Sequence, residues 1–310
     1  MGNVSICTYP FAEEYPFEAH AADIHGLRCH YVDEGDGLVV LMLHGNPTWS
    51  FFYRKLIQEL SPFFRTVAPD HIGCGLSERP EPGTYPFTLE RRIEDMERFI
   101  ETVGLKRPLA IVAHDWGGAI ATALSLRHPQ WVSALILMNT AAFFPPKHKG
   151  LPLRLRIVRH HPKLAKLLIL KWNAFVLSAL FLAPSKPLSI PILNGYTAPY
   201  RKLRNREAVY RFVMDIPTHP DDSSWATLRW LDDRIAALAR IPVLLVWGLQ
   251  DAVFDQDYLL EWKRRLPHAE SVVFPDAGHY LLEDEPEKAA TAIRNFLKRL
   301  TEPEQGEQML

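Results

Sequence analysis

The sequence predicts an α/β protein: a mostly parallel central sheet with helices on both faces and a helical cap inserted into it. Three observations carry that prediction. Short apolar runs alternate along the chain with longer runs of helical periodicity, and strands without polar alternation are those buried on both faces of a parallel sheet. Most of these runs end at a polar or glycine-containing turn, where such sheets carry their sites. One stretch, 141–231, breaks the alternation with helix-like sequence and no strand. At 310 residues and 47% apolar composition, the chain can bury one large core with an insert.

In chain order, the strand candidates begin with Leu38–Leu43, ending at His44-Gly45, and Thr66–Pro69, ending at Asp70. Leu109–Ala113 and Leu135–Met138 follow, the latter ending at Asn139. Val243–Trp247 ends at Gly248, and Ser271–Phe274 ends just before Asp276-Ala277-Gly278-His279. The helix candidates are Tyr53–Leu60, Leu89–Val103, Ala119–Arg127, Tyr258–Leu266 and Pro286–Arg299. The expected organisation is a first core part at 1–140, the cap at 141–231, a second core part at 232–300 and a polar, frayed tail at 301–310.

Composition excludes several function classes. A net charge of −1 offers no global field for nucleic acid. Gly73-Cys74-Gly75 is too short, and lacks the lysine, to cradle a phosphate. Cys7, Cys29 and Cys74 form neither metal-ligand spacing nor an even disulfide set, so a reducing cytoplasm is expected. Cys74 reads as a buried bystander. Met1–Glu14 lacks a charged and an apolar signal region, and no run of about 18 apolar residues predicts a membrane span. His160-His161 reads as a charged-face pair rather than a metal site. No cofactor and no metal are expected.

The chemistry concentrates at Ile111 to Gly118. An apolar run leads into a tight turn and a helix pattern follows at once, which is the strand–turn–helix setting of a nucleophile elbow. The turn residue is Asp115, a carboxylate able to attack carbon and form an ester. Such a reaction also wants a base, an orienter for it, and donors for developing negative charge. His279, presented by Gly278, is the base candidate, expected as a neutral imidazole that takes a proton from water near pH 7. Asp251, after Trp247-Gly248, is the orienter candidate. Asp255 and Asp257 read as a helix start, Asp276 as a turn residue, and Asn139 as an uncharged second location for the orienter. The donors come from the turn His44 to Trp49, including the Asn46 amide, and from the Trp116 indole N–H. Two N–H donors without a nearby cation suit a weakly hydrated anion such as halide.

These residues resemble the haloalkane dehalogenases of the α/β-hydrolase superfamily. The resemblance rests on His44 to Thr48, Pro69 to Ser77, the elbow Ala113 to Gly118, Gly248 to Asp251 and Gly278-His279, and it spans Pro16 to Arg299. It implies an α/β-hydrolase fold, with Asp115 as nucleophile, His279 as base, Asp251 as third member, and Asn46 and Trp116 holding the leaving group. Asp at 251 with Asn at 139 resembles the subgroup with Asp-His-Asp plus Asn-Trp, as do Asn173 to Phe175, Gly195 to Tyr200 and Arg211 to Pro217. That subgroup includes enzymes of bacterial olefin synthesis that convert cis-β-lactones to alkenes. The first expectation is therefore hydrolytic dehalogenation of haloalkanes through a covalent alkyl-enzyme ester. The alternative is decarboxylation of long-chain cis-β-lactones. Epoxide hydrolysis is weaker, since that resemblance would want an aromatic residue at Asn46 and a cap tyrosine pair among Tyr196, Tyr200 and Tyr210. A serine-type esterase is disfavoured by Asp115 itself.

From Trp116 through Arg206 there is no Asp or Glu. Lys147, Lys149, Arg154, Arg156, Arg159, Lys163, Lys166 and Lys171 alternate there with leucines and other aliphatics, a pattern that reads as interfacial. Contact with a membrane surface or a partner protein through 147–171 is expected, at the cytoplasmic side. The small apolar substrate is expected in a cap-lined pocket, with Trp172, Phe175, Tyr196, Tyr200 and Trp225 as the candidate contacts.

Overall fold

The computed structural model describes residues 11–146 and 149–301. Cys7, Lys147 and residues 302–310 of the expected tail lie outside them. Eight strands form one sheet: β1 (His20–Ile24), β2 (Leu27–Glu34), β3 (Val39–Leu43), β4 (Arg65–Pro69), β5 (Leu109–His114), β6 (Val132–Met138), β7 (Val243–Gly248) and β8 (Glu270–Phe274), in the order β1-β2-β4-β3-β5-β6-β7-β8. The pairs β1–β2 and β2–β4 are antiparallel and all others parallel, with Leu41 of β3 beside Val67 of β4 and Ile111 of β5.

Every residue of β3, β5 and β7 is buried, because successive side chains point to opposite faces and both faces are covered. Leu41, Leu43, Ile111, Ala113, Leu137 and Leu245 belong to the core on one face, with α2 (Leu89–Val103) and α3 (Trp116–Arg127). Val40, Met42, Val112, Ile136 and Val246 belong to the other, with α1 (Arg54–Leu60) and α12 (Pro286–Thr301). The sequence analysis did not anticipate β1 and β2. β1 alternates exposed Ala21 and Asp23 with buried Ala22 and Ile24, and β2 mixes exposed Arg28 and half-buried Tyr31, Asp33 and Glu34 with buried Cys29, His30 and Val32, so neither gives a continuous apolar run. The expected helix at Ala119 begins earlier, at Trp116, directly after the elbow.

Between β6 and β7 the chain is helical. It runs through α4 (Leu153–His160), α5 (Pro162–Ala165), a π-helical segment Lys166–Lys171, α6 (Ala174–Leu182), α7 (Ile190–Thr197), α8 (Glu207–Met214) and α9 (Trp225–Asp232). The last of these, α9, packs on α2 and α3. Two further helices, α10 (Gln256–Arg265) and α11 (Leu281–Asp284), flank β8. Among the described residues no single helix is long and apolar enough to cross a membrane.

Candidate active site

Asp115 sits where β5 stops and α3 starts, with φ 53° and ψ −126°. A non-glycine residue at positive φ is strained and persists only where its surroundings over-determine it. Here the Gly118 N–H donates to the Asp115 carbonyl at 3.0 Å, and the Thr140 hydroxyl donates to the same oxygen. Two glycines make the close packing around the turn possible. A Cβ on Gly45 would lie 2.2 Å from Asp115 Oδ1, and one on Gly117 would lie 2.0 Å from the Leu43 carbonyl oxygen. The turn after β3 can therefore lie against the elbow, and its Asn46 backbone N–H donates to Asp115 Oδ1 at 2.9 Å.

His279 follows β8 on a loop held by Asp284, whose Oδ2 accepts from the Gly278 N–H at 2.7 Å. Its Nδ1 donates to Asp251 Oδ2 at 2.6 Å, and its Nε2 lies 3.5 Å from Asp115 Oδ2. Asp251 is 3% exposed. Its other partners are the Val253 N–H at 2.7 Å and the Asn139 amide at 3.0 Å. Asn139 also exchanges hydrogen bonds with Gly248, at 2.9 and 2.8 Å. Its part is thus to brace the carboxylate and the β7 end together, a role that its lack of charge had concealed in the sequence. His114 supports the imidazole from behind: the rings are 4.4 Å apart and His114 Nε2 donates to the His279 carbonyl at 2.9 Å.

The electrostatics correct one expectation. Burial disfavours a charged ring, but the Asp251 and Asp115 carboxylates outweigh it and raise His279 from 6.5 to about 10. The two carboxylates therefore favour the protonated ring while Asp115 is free, where the sequence reading expects a neutral base near pH 7. The sequence names the imidazole's neighbours but not their distances, and two carboxylates within 3.5 Å reverse the balance.

A cavity of about 760 Å³ opens over this group, lined by Asn46, Asp115, Trp116, Phe175, Trp225 and His279 among mostly apolar side chains. The Asn46 amide N–H donates to the Val209 carbonyl at 3.3 Å. The Trp116 ring packs on Phe212, with centroids 5.4 Å apart. Three expected pocket residues are elsewhere. Trp172 is 57% exposed on the outer side of the cap and does not line the cavity. Tyr196 is buried between Phe51 and Tyr280, and its hydroxyl donates to Glu283 at 2.5 Å. Tyr200 is likewise buried off the cavity, near the Thr48 carbonyl. Aromatic character alone does not say whether a cap residue faces the cavity, the core or solvent. Tyr280, next to the imidazole, does line the cavity and was not anticipated. Asp255 caps α10 and pairs with Lys149, as does Asp257 at 2.7 Å. Cys74 is buried and its thiol is pushed up to about 11 by that burial, so it is inert toward ordinary thiol chemistry. Among the described residues no group of His, Cys, Asp and Glu could hold a metal.

The family model described as "alpha/beta hydrolase fold" matches residues 39–286. The chain is 39% identical over 283 residues to the cis-3-alkyl-4-alkyloxetan-2-one decarboxylase of Shewanella oneidensis, covering 91% of this chain and 89% of that protein. It is 39% identical over 300 residues to the protein of the same name from Xanthomonas campestris, covering 94% and 99%. Haloalkane dehalogenase 2 of Mycobacterium tuberculosis is 34% identical over 291 residues, covering 94% and 98%. Among solved structures, a putative ancestral haloalkane dehalogenase superposes with a TM-score of 0.83 at 26% identity, covering 91% of this chain and 99% of that one. Its sheet order, its inserted cap and these relatives make the chain a member of the α/β-hydrolase family, with cis-3-alkyl-4-alkyloxetan-2-one decarboxylases and haloalkane dehalogenases among its relatives.

Proposed function

We propose that the protein decarboxylates cis-3,4-dialkyl oxetan-2-ones (β-lactones) to alkenes, with Asp115 as the nucleophile. The reading rests on the Asp115 carboxylate, which faces a large apolar cavity between the imidazolium and the Asn46–Trp116 pair. The sequence analysis ranked dehalogenation first. The higher identity to the decarboxylases reverses that order. The carboxylate attacks ring carbon C4 from behind, the C4–O bond breaks, and the ring oxygen leaves as a carboxylate toward the N–H groups of Asn46 and Trp116. Backside attack sets the new ester oxygen and the released carboxylate on opposite sides of the C3–C4 bond. The bond from C3 to the carboxylate carbon then breaks, its electrons form the alkene, and the ester C–O bond cleaves. Carbon dioxide and alkene leave, and the Asp115 carboxylate is restored. No water is consumed and no proton is transferred overall. The imidazolium of His279 favours the return of negative charge to Asp115. The buried thiols Cys29 and Cys74 suit the reducing cytoplasm in which we place the protein.

A single turnover in ¹⁸O-labelled water tests this. The expected result is alkene and carbon dioxide with an unlabelled Asp115. A β-hydroxy acid, with label in the Asp115 carboxylate, would replace decarboxylation by hydrolysis.

One observation favours dehalogenation as a second activity: Asn46 and Trp116 both line the cavity with Asp115, and each carries a side-chain N–H that suits a halide leaving group. Esterification of Asp115 removes one of the two charges that keep His279 protonated, which brings the imidazole toward the neutral base that water attack requires. With a haloalkane, a His279→Phe variant accumulates the alkyl ester as a mass increase on the intact protein. Absence of both halide release and adduct across a substrate panel eliminates this reading.

A further inference from the structure

Nine of the thirteen large apolar side chains left exposed among the described residues lie in the cap, between Leu153 and Leu203. They include Leu153 at 61%, Trp172 at 57%, Phe181 at 72% and Ile190 at 74% exposure. Side chains of this size in one region mark an interaction surface. The cations around them are unusual in a second way. Lys149 and Arg159 are paired with aspartates. Arg154, Arg156, Lys163, Lys166 and Lys171 are exposed and make no ion pair with the described residues. The chain carries 35 basic and 36 acidic residues, so this local excess is balanced elsewhere and is a directional feature.

The cavity also reaches the surface of the cap. Arg154 of α4 and Leu182 of α6 are both exposed and both line it. Two apolar stretches of the cap, Pro162–Lys171 and Ala174–Leu182, are bent by 77° against each other. Each is far shorter than the roughly 20 residues needed to span a bilayer. Short apolar helices fringed with lysine and arginine lie in the plane of a membrane surface.

We infer that this cap face docks on an anionic phospholipid surface, with Trp172, Phe181 and Ile190 entering the headgroup boundary and the unpaired cations meeting lipid phosphates. Docked in this way, the cavity mouth opens toward the acyl chains. A lipophilic substrate then passes from bilayer to Asp115 without crossing water. The delivery role rests on the proposed lactone substrate; the docking does not.

Vesicle flotation with phosphatidylglycerol–phosphatidylcholine mixtures, without substrate, tests the docking. The expected result is flotation at low salt that weakens as salt rises and is absent with phosphatidylcholine alone. Each basic residue near such a surface contributes about 1 kcal/mol, so Lys163→Glu/Lys166→Glu/Lys171→Glu weakens binding by about a hundredfold or more. These three lysines do not line the cavity, and unchanged turnover of a short, water-soluble lactone shows that the variant is folded. In vesicles of brominated lipid, part of the tryptophan emission is quenched, and Trp172→Phe removes that part. Failure to float at low salt overturns the inference, as does binding that survives the triple reversal. Self-association without vesicles that Phe181→Asp disperses would assign the face to a second copy and overturn it too. Because turnover of the soluble lactone is measured separately, loss of docking is distinguishable from failure of the proposed reaction.

Discussion

The sheet core and the cap solve different problems with similar apolar content. In the core, the turns and loops that follow β5, β7 and β8 hold Asp115, Asp251 and His279 at separations of 2.6 and 3.5 Å. Close approach there leaves no room for one extra methyl group at Gly45. The cap is built from helices of four to nine residues and leaves large apolar side chains in solvent. A packed interior positions atoms to fractions of an ångström; short surface helices shape a volume and an entrance. The comparison teaches that close placement of reactive groups falls to the strand ends, while in the proposed function the cap supplies access and retention.

The largest effect should come from the core. Asp115→Asn is expected to lower alkene formation by about 10⁴-fold or more, since the covalent route is lost, with a melting temperature near that of the parent. Appreciable alkene from that variant, measured by gas chromatography, would break the assignment. Glycine positions sharpen the contrast next. Gly45→Ala pushes a Cβ to 2.2 Å from the Asp115 carboxylate, and displacement of that order costs about 10²-fold in kcat/KM. Gly150→Ala in the cap meets nothing within 4 Å and should stay within about 0.5 kcal/mol in stability. Equal effects at the two sites would erase the distinction. Within the cap, Phe175→Ala removes a cavity wall and should raise KM for long-chain lactones by about tenfold, while Trp172→Ala leaves kinetics on soluble lactones unchanged. A KM shift at Trp172 would return it to the pocket.

The smallest expected effect is on stability against pH. His279 is raised from 6.5 to about 10 in the folded protein, so the folded state binds more protons than the unfolded state across that interval. Its contribution is fully present below pH 6.5 and is lost as pH rises through about 10. Chemical denaturation across this window should show stability falling in the parent and falling less in Asp251→Asn. Identical slopes would mean that Asp251 does not hold the proton.

Much of the core was legible in the sequence. The apolar runs of β3 to β7 correspond to buried strands, and the Asp115 turn is declared by residues adjacent in the chain. The misread parts depend on distant partners. Asn139 braces Gly248 and Asp251, 109 and 112 positions away. The Tyr196 hydroxyl is taken by Glu283, 87 positions away. Trp172 and Phe175 are three residues apart and equally aromatic, yet one faces solvent and the other the cavity. The half-exposed strands β1 and β2 interleave polar with apolar residues, a pattern that a search for continuous runs passes over.

The sequence by itself determined the strand-and-helix alternation, the elbow with its carboxylate, and the acid-free basic stretch of the cap, because each is a property of neighbouring residues or of local composition. Only the tertiary structure decided that two carboxylates flank His279 and favour its charged form, that Asn139 braces rather than replaces Asp251, and which cap aromatics meet the cavity. Proton affinity and exposure depend on groups brought together through space, and the chain order of those groups does not encode their separation.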